Sequence, residues 1–210
     1  MITIVDYGMG NLGSIYNMFV KKIKVECEIT SDLDKIKSAE KLLLPGVGAF
    51  DKAIQRISED GLRDVLDMKV LHERTPILGI CLGMQLLTNG SDEGKLPGLG
   101  WIDAYTHRFS FEKVEGLKVP HMGWNEVNLS QESLLTTGLG ELVANPDNPR
   151  FYFVHSYYVK VKNQSNSILK TNYGHEFDSA IQKDNIYGAQ FHPEKSHKFG
   201  IQLFKNFAEL

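Results

Sequence analysis

A single cysteine at a predicted strand–helix junction is the first residue of this sequence that could do chemistry. Cys81 lies in the stretch GICLG at 79–83, where an apolar run changes from the period of a strand to that of a helix. Such a turn, with glycines on both sides, presents a nucleophile at a helix N-terminus, where a thiolate is favoured and free N–H groups can bind an oxyanion. A small buried thiol is the alternative, and the motif alone leaves both interpretations open.

A histidine and a glutamate late in the chain could serve such a nucleophile. His192 precedes Pro193, which pushes its backbone toward an extended conformation, and Glu194 then shares a face with it. A carboxylate beside an imidazole fixes its tautomer and stabilises the imidazolium. Cys81, His192 and Glu194 would supply a nucleophile, a base and a group that orients the base. The alternative for His192 is a structural histidine at a strand end.

A glycine-rich loop offers a third component. Pro45-Gly46-Val47-Gly48 follows a short apolar run, and glycines let the backbone approach a ligand or turn a peptide N–H toward it. In a doubly wound sheet the carboxyl ends of the strands form the binding crevice, so this loop and Cys81 would face each other. Taken alone, the loop is better explained as an ordinary strand–helix turn.

The order of the elements must bring these residues together. In the first half, strands at 1–8, 25–30, 41–46 and 76–80 alternate with helices at 11–23, from 31, at 48–61 and at 62–73. This alternation predicts an α/β fold with a mostly parallel central sheet and helices on both faces. The second half is strand-rich at 101–109, 118–129, 150–161 and 179–191, which predicts an antiparallel extension, and an amphipathic helix at 197–210 closes the chain.

Two local details can be compared with the structure. Ser31 is predicted to cap the helix that begins there, with Asp34 as its capping-box partner. The alternation in VECEIT at 25–30 predicts a half-buried strand with Cys27 and Ile29 on its inner face, so Cys27 is interpreted as a core residue.

Length and composition restrict the class of protein. A chain of 210 residues with 42% hydrophobic content predicts a single domain, 1–210, with a sizeable core. A net charge of −3 argues against a nucleic-acid partner. No stretch approaches the roughly 20 apolar residues of a membrane span, and Asp6 comes too early for a signal-peptide core. Two cysteines make no disulfide framework, so we expect a cytoplasmic protein that does not bind a membrane.

Five motifs in a fixed order carry a resemblance to a known family. They are LLLPGVGAF, GICLGMQLL, VPHMGWNEV, FYFVHSYYV and QFHPEKS. In this order they resemble the class I glutamine amidotransferases, over nearly the whole chain. Within that family, PHMGWN and FYFVHSYYV are similar to the glutaminase subunits of imidazole glycerol phosphate synthases. Asp103 departs from the pattern, because relatives usually have glycine there.

The resemblance implies a role for each matched residue. Cys81 would attack the side-chain amide of L-glutamine to form a glutamyl thioester. His192 would protonate the leaving ammonia and then activate water, while Glu194 orients His192. The implied oxyanion hole combines the N–H of Leu82 with an N–H from Gly46, Val47 or Gly48. The implied substrate-binding positions are Gly48, Gly79, Gln85, His155, Ser156 and Tyr157. Trp124, Tyr152 and Lys195 would lie toward a synthase partner. Neither a cofactor nor a metal is implied, and no His–Cys spacing suggests zinc.

The chemistry of ammonia adds an expectation about a partner. Free ammonia protonates at neutral pH, so a glutaminase that serves synthesis must pass NH₃ directly to an acceptor site. The chain has no G-x-x-x-x-G-K loop and no predicted second domain, so the acceptor site is expected on another polypeptide. The resemblance makes this partner a cyclase subunit, in a heterodimer that produces imidazole glycerol phosphate and AICAR in histidine biosynthesis.

Three alternatives accompany this interpretation. A paralogous glutaminase would supply a surface-sugar amidotransferase instead. A catalytically silent scaffold would only organise a synthase partner, but such a scaffold does not need all of Cys81, His192 and Glu194. A cysteine peptidase or γ-glutamyl hydrolase would work alone, and the PHMGWN and FYFVHSYYV motifs disfavour it.

Overall fold

The computed structural model describes residues 1–110, 117–144 and 147–210, which contain twelve strands and six α-helices. The strands are β1 (Ile2–Val5), β2 (Cys27–Thr30), β3 (Lys41–Gly46), β4 (Ile77–Cys81), β5 (Ala104–Arg108), β6 (His121–Glu126), β7 (Asn128–Leu129), β8 (Arg150–His155), β9 (Tyr157–Val161), β10 (Ser167–Tyr173), β11 (His175–Lys183) and β12 (Ile186–Ala189). The helices are α1 (Leu12–Asn17), α2 (Leu33–Lys37), α3 (Phe50–Ser58), α4 (Leu62–Asp67), α5 (Leu82–Leu86) and α6 (His197–Glu209). Among the described residues, no helix has the length and apolar character needed to cross a bilayer.

The central sheet confirms the predicted α/β architecture. Its parallel part has the strand order β2-β1-β3-β4-β12, and it continues through the antiparallel strands β11, β10 and β7. β9 pairs with β11 and carries β5 on its other side. The register of β3 on β4 places Gly46 beside Cys81. The carboxyl ends of two neighbouring strands therefore carry the glycine-rich loop and the cysteine.

Helices cover both faces of this sheet, as the sequence predicts. On one face, α3 buries its apolar stripe against strand residues such as Leu42 and Leu44; the stripe consists of Phe50, Ala53, Ile54 and Ile57. On the other face, α6 buries Leu203, Phe204 and Phe207 in a cluster with residues of β1 and α1. Burying each apolar stripe removes it from water, which fixes each helix to its face of the sheet.

A second, two-stranded sheet consists of β6 and β8, and its two faces differ in character. The antiparallel register pairs His121 with His155 and Trp124 with Tyr152. His121 and His155 are buried, whereas Trp124 is 47% exposed and its neighbour Met122 is 61% exposed. Because successive side chains point to opposite faces, this small sheet has a core face and an outer face.

The structure corrects the details predicted for the β2–α2 region. Asp32, not Ser31, caps α2, and its carboxylate accepts a hydrogen bond from the N–H of Asp34. Ile29 is exposed, and Cys27 is half-buried at the margin of the core rather than within it. β2 is the edge strand of the sheet, so its inner face receives less cover than alternation alone suggests.

Several predicted elements are divided differently in the structure. The helix predicted at 11–23 is α1 followed by a π-helical turn at Met18–Ile23, and the one predicted at 62–73 is α4 followed by Met68–His72. The segment predicted at 150–161 is two strands that belong to different sheets. β10 was not predicted from the sequence.

Candidate active site

Cys81 occupies a strained junction between β4 and α5. Its backbone has φ 55° and ψ −110°, a conformation that non-glycine residues rarely adopt. The next turn lies so close to β3 that a Cβ on Gly83 would sit 1.8 Å from the carbonyl oxygen of Leu44. A β-carbon on Gly79 would likewise meet the backbone of Gly83 at 2.6 Å. The glycines around Cys81 are therefore required by close packing, and the junction has the geometry predicted for a nucleophile.

His192 and Glu194 form a buried pair at the end of the chain segment that follows β12. Nδ1 of His192 lies 2.8 Å from Oε1 of Glu194, and both side chains are almost fully buried. The N–H of His192 donates to the carbonyl of Tyr152, and the hydroxyl of Ser196 donates to the carbonyl of His192. These hydrogen bonds fix the backbone at His192 and thereby position its imidazole beside Glu194.

The surroundings of His192 favour its charged form. Burial acts to lower the pKa of His192, but interactions with Cys81 and Glu194 outweigh it and raise this pKa to about 10. Nε2 is buried and makes no hydrogen bond of ordinary geometry among the described residues. Hydrogen bonds between catalytic groups are often poorly aligned before a substrate binds, so this geometry is compatible with proton transfer by His192. At neutral pH the geometry favours an imidazolium that can give up a proton.

A cavity of about 340 Å³ lies over Cys81 and is large enough for one amino-acid substrate. Its walls are formed by Val47, Gly48, Cys81, Leu82, Gln85, Glu93, Pro120, Val154, His155, Ser156, Tyr157 and His192. Most residues implied by the resemblance are therefore brought together here. Gly46 and Gly79 do not line the cavity: Gly46 is the last residue of β3, and Gly79 lies within β4.

The glycine-rich loop is held from below and open toward the cavity. Gly48 has φ +116°, which a side chain would strain. Burial, and to a lesser extent Cys81, raise the pKa of Tyr7 above its usual range, so its hydroxyl stays protonated and donates to the carbonyl of Pro45 at 2.7 Å. Leu82 is the first residue of α5, so its N–H has no intrahelical acceptor. The arrangement is compatible with an oxyanion hole formed by Leu82 and the loop.

Two polar residues at or next to this cavity were not identified from the sequence. Glu93 lines it, and one of its carboxylate oxygens accepts a hydrogen bond from the N–H of Phe50. Partial burial raises the pKa of Glu93, although the Phe50 hydrogen bond acts against this. Gln190 is completely buried, and its Nε2 lies 3.8 Å from Sγ of Cys81. Glu93 sits in the charged run SDEGK, which looks like a surface loop, whereas Gln190 is part of the QFHPEKS motif and could have been considered there.

A buried histidine pair joins the small sheet to the cavity wall. Nδ1 of His121 lies 2.9 Å from Nε2 of His155, and Nδ1 of His155 lies 2.6 Å from the carbonyl of Tyr157. A carbonyl only accepts, so His155 carries its proton on Nδ1 and accepts from His121 on Nε2. Burial lowers the pKa of His121 to about 4 and that of His155 to about 3. Both rings are therefore neutral at physiological pH.

The three residues implied to face a partner lie together on the surface. The ring of Trp124 stacks on His197 with centroids 5.4 Å apart and meets the ring of Tyr152 edge-on at 6.2 Å. Nζ of Lys195 lies 5.5 Å from the centre of the Tyr152 ring. This surface, defined by Trp124, Tyr152 and Lys195, adjoins the backbone that anchors His192.

Comparisons with known proteins agree with this geometry. The family model described as glutamine amidotransferase class-I matches residues 3–210. The imidazole glycerol phosphate synthase subunit HisH 2 of Methanococcus maripaludis is 54% identical over 207 residues, covering 99% of this chain and 98% of the relative. The subunit of the same name from Pseudomonas aeruginosa is 49% identical over the full length of both chains.

A solved structure described as a glutamine amidotransferase has the same fold. It superimposes with a TM-score of 0.71 at 16% identity, over 100% of this chain and 98% of that one. With a matching family model over nearly the whole chain and full-length relatives at about half identity, the chain belongs to the class I glutamine amidotransferase family.

Proposed function

We propose that this chain is the glutaminase subunit of an imidazole glycerol phosphate synthase. It hydrolyses L-glutamine to glutamate and ammonia, and the ammonia passes to a cyclase subunit that makes imidazole glycerol phosphate and AICAR in histidine biosynthesis. The observation that carries the chemistry is the meeting of Cys81, His192 and the glycine-rich loop at one amino-acid-sized cavity. The names of the full-length relatives support the pathway.

The first half of the reaction forms a thioester. The Cys81 sulfur attacks the side-chain amide carbon of glutamine, and the carbonyl oxygen gains negative charge that the N–H groups of Leu82 and the 46–48 loop stabilise. When the tetrahedral intermediate collapses, the C–N bond breaks and His192 donates a proton to the departing amine, which leaves as NH₃. Glu194 keeps the imidazole in the orientation and tautomer that this transfer requires.

The second half releases glutamate. His192, now neutral, removes a proton from a water molecule that attacks the thioester carbon, and the C–S bond breaks to regenerate the Cys81 thiolate. The carboxylate of Glu93 is placed to receive the α-ammonium group of the substrate, because it lines the same cavity. His155, Ser156 and Tyr157 also line this cavity.

The partner and the compartment belong to the same proposal. A cyclase subunit in a heterodimer would dock on the surface of Trp124, Tyr152 and Lys195, whose exposed indole and cation are suited to a protein interface. Two free cysteines without a disulfide between them fit a cytoplasmic location.

The experiment that tests the chemistry compares the two cysteines. Cys81→Ser should abolish glutamate production from glutamine, because a serine hydroxyl is a far weaker nucleophile at neutral pH. Cys27→Ser should retain activity with at most a modest loss of stability, and burial in fact raises the pKa of Cys27 to about 12. An electrophilic glutamine analogue, followed by mass spectrometry, should label Cys81 and not Cys27. The opposite behaviour of the two variants would refute the assignment of the nucleophile.

A further inference from the structure

Gln190 contacts the reacting sulfur, and the proposed reaction gives it no role. Its side chain is completely buried just beyond β12, with Nε2 3.8 Å from Sγ of Cys81. The sulfur also lies 4.0 Å from the carbonyl oxygen of Val154. The carbonyl can only accept, so it is a suitable partner for the neutral thiol and offers nothing to a thiolate. An amide N–H can donate to either form.

The orientation of the Gln190 amide follows from its neighbours. Nε2 of Gln85 lies 3.4 Å from the carbonyl oxygen of Tyr157, and only the NH₂ end of an amide can donate to a carbonyl. The same Nε2 lies 3.1 Å from Oε1 of Gln190, which therefore accepts. The NH₂ end of Gln190 is then left to face Cys81. One backbone carbonyl thus fixes the orientation of both amides.

We propose that Gln190 donates a hydrogen bond to the Cys81 thiolate, and that Gln85 is a positioning residue that holds the Gln190 amide in this orientation. The inference rests on the proposed glutaminase function and extends it within the same site. Unlike His192, an amide does not titrate, so its N–H favours the anionic sulfur at every pH. Because the donor is buried and held by a second amide, it is already in place before the substrate binds.

The test measures the reactivity of the sulfur without glutamine. In the full chain carrying Cys27→Ser, iodoacetamide alkylates Cys81 as the thiolate attacks its CH₂ carbon and iodide leaves, and the rate is recorded against pH. Gln190→Met removes the donor at similar length and should move the midpoint of this profile up by about one pH unit, since hydrogen bonds to charged groups are stronger than neutral ones. Gln85→Met should move it less, in the same direction. Turnover of glutamine by Gln190→Met should fall about tenfold, with a smaller change in KM.

A matched control separates this role from a structural one. Gln182 on β11 also uses both ends of its amide, accepting from Ser133 and donating to the carbonyl of Asp184, away from Cys81. Gln182→Met should leave the alkylation midpoint unchanged. A midpoint in Gln190→Met equal to that of the parent chain would overturn the proposal. Should Gln190→Met fail to fold by circular dichroism, Gln85→Met decides: a shifted midpoint supports the proposal and an unshifted one refutes it.

The alkylation profile also keeps this inference separate from the proposed function. If Gln190→Met shifts the midpoint but the natural chain hydrolyses no glutamine, the proposed function is refuted and the role of Gln190 is supported. If the natural chain hydrolyses glutamine through Cys81 but Gln190→Met shifts no midpoint, the proposed function is supported and the role of Gln190 is refuted.

Discussion

Glu93 has the charge that is needed to bind the ammonium group of glutamine. Glutamine carries an ammonium, a carboxylate and a neutral amide, so a site that binds it needs a negatively charged group close to the ammonium. Among the described residues that line the cavity, Glu93 carries a carboxylate, whereas the Glu194 side chain is buried beside His192. One oxygen of Glu93 is already used by the N–H of Phe50, which fixes the side chain and leaves the other oxygen for a ligand.

Replacing Glu93 by glutamine should therefore weaken substrate binding more than catalysis. Glu93→Gln keeps the shape of the side chain but removes its charge, so the KM for glutamine should rise about 10- to 100-fold while kcat changes less. Steady-state kinetics of glutamate formation would measure both constants. Asp92→Asn is the matched control, because Asp92 precedes Glu93 in the chain but does not line the cavity. Equal KM values for the two variants would contradict a role for Glu93 in binding.

The proposed reacting groups of this site could be predicted from residue types, whereas the residues around them could not. Cys81 and His192 stand out because few side chains can act as nucleophile or base, and their motifs are local in sequence. Glu93 and Tyr7 reach the site only through the fold, over separations in sequence that no local pattern encodes. Gln190 lies within the QFHPEKS motif, but only the structure shows its contact with Cys81. Their roles depend on distances and burial, so sequence reasoning passed over them.

The glycine-rich loop between β3 and α3 is the element whose backbone carries the proposed oxyanion donor. Gly48→Val places a branched side chain at φ +116°, and even its Cβ would lie 2.8 Å from the Met9 side chain. Turnover should fall by about 10²–10³, the usual loss for one oxyanion donor, with a smaller effect on KM. Gly140→Val is the control, since a Cβ there meets nothing within 4 Å. Normal turnover in Gly48→Val would show that the loop is only a turn.

The small sheet of β6 and β8 should make the protein sensitive to acid. His121 and His155 are held neutral in the folded chain, with pKa values lowered to about 4 and about 3, largely by burial. Below pH 6.5 the unfolded chain binds protons that the folded chain does not, so the stability that these residues contribute is present above that pH. It is lost as the pH falls toward 4 and below.

Removing one of the two titrating rings should reduce this acid sensitivity. His121→Gln should make the free energy of unfolding fall less steeply between pH 6 and pH 4, by up to about 1.4 kcal/mol per pH unit. Urea unfolding at several pH values would measure the slope. His72→Gln, at an exposed position on the turn after α4, should leave the slope as it is in the natural chain. Equal slopes for the two variants would contradict the contribution of His121.

At the scale of the whole molecule, the parallel half was predictable and the antiparallel half only in outline. Strands β1, β3 and β4 are short apolar runs separated by helices, and this alternation predicts a parallel sheet with two covered faces. No local sequence pattern predicts that β8 pairs with β6 in a separate sheet while β9 belongs to the central sheet. That division depends on packing across the molecule, and it leaves Met122 and Trp124 exposed on the outer face of the small sheet.

The backbone contacts of Tyr152 join that outer face to His192. The carbonyl of Tyr152 accepts from the N–H of His192, and its own N–H donates to Ser196, while its ring lies beneath the Lys195 ammonium. A partner that binds this ring and cation therefore acts one hydrogen bond away from His192. Coupling between two sites requires that binding at one of them shifts the conformation of the other. Binding at this surface would meet that requirement by moving the Tyr152 backbone, to which His192 is hydrogen-bonded.

We expect glutamate production by this chain to be weak alone and to rise roughly 5- to 150-fold with an imidazole glycerol phosphate cyclase subunit and its nucleotide substrate, the range of common coupling energies. Lys195→Ala should reduce this stimulation or the affinity for the cyclase, because it removes the cation over Tyr152, while labelling of Cys81 by an electrophilic glutamine analogue should persist. Lys205→Ala, exposed near the end of α6, should leave the stimulation unchanged. Stimulation by a surface-sugar amidotransferase but not by the cyclase would reassign the pathway and keep the chemistry. Full activity of the isolated chain would contradict this dependence on a partner. Dependence is expected because a glutaminase that is active alone releases ammonia into water, where it is protonated before any acceptor can use it.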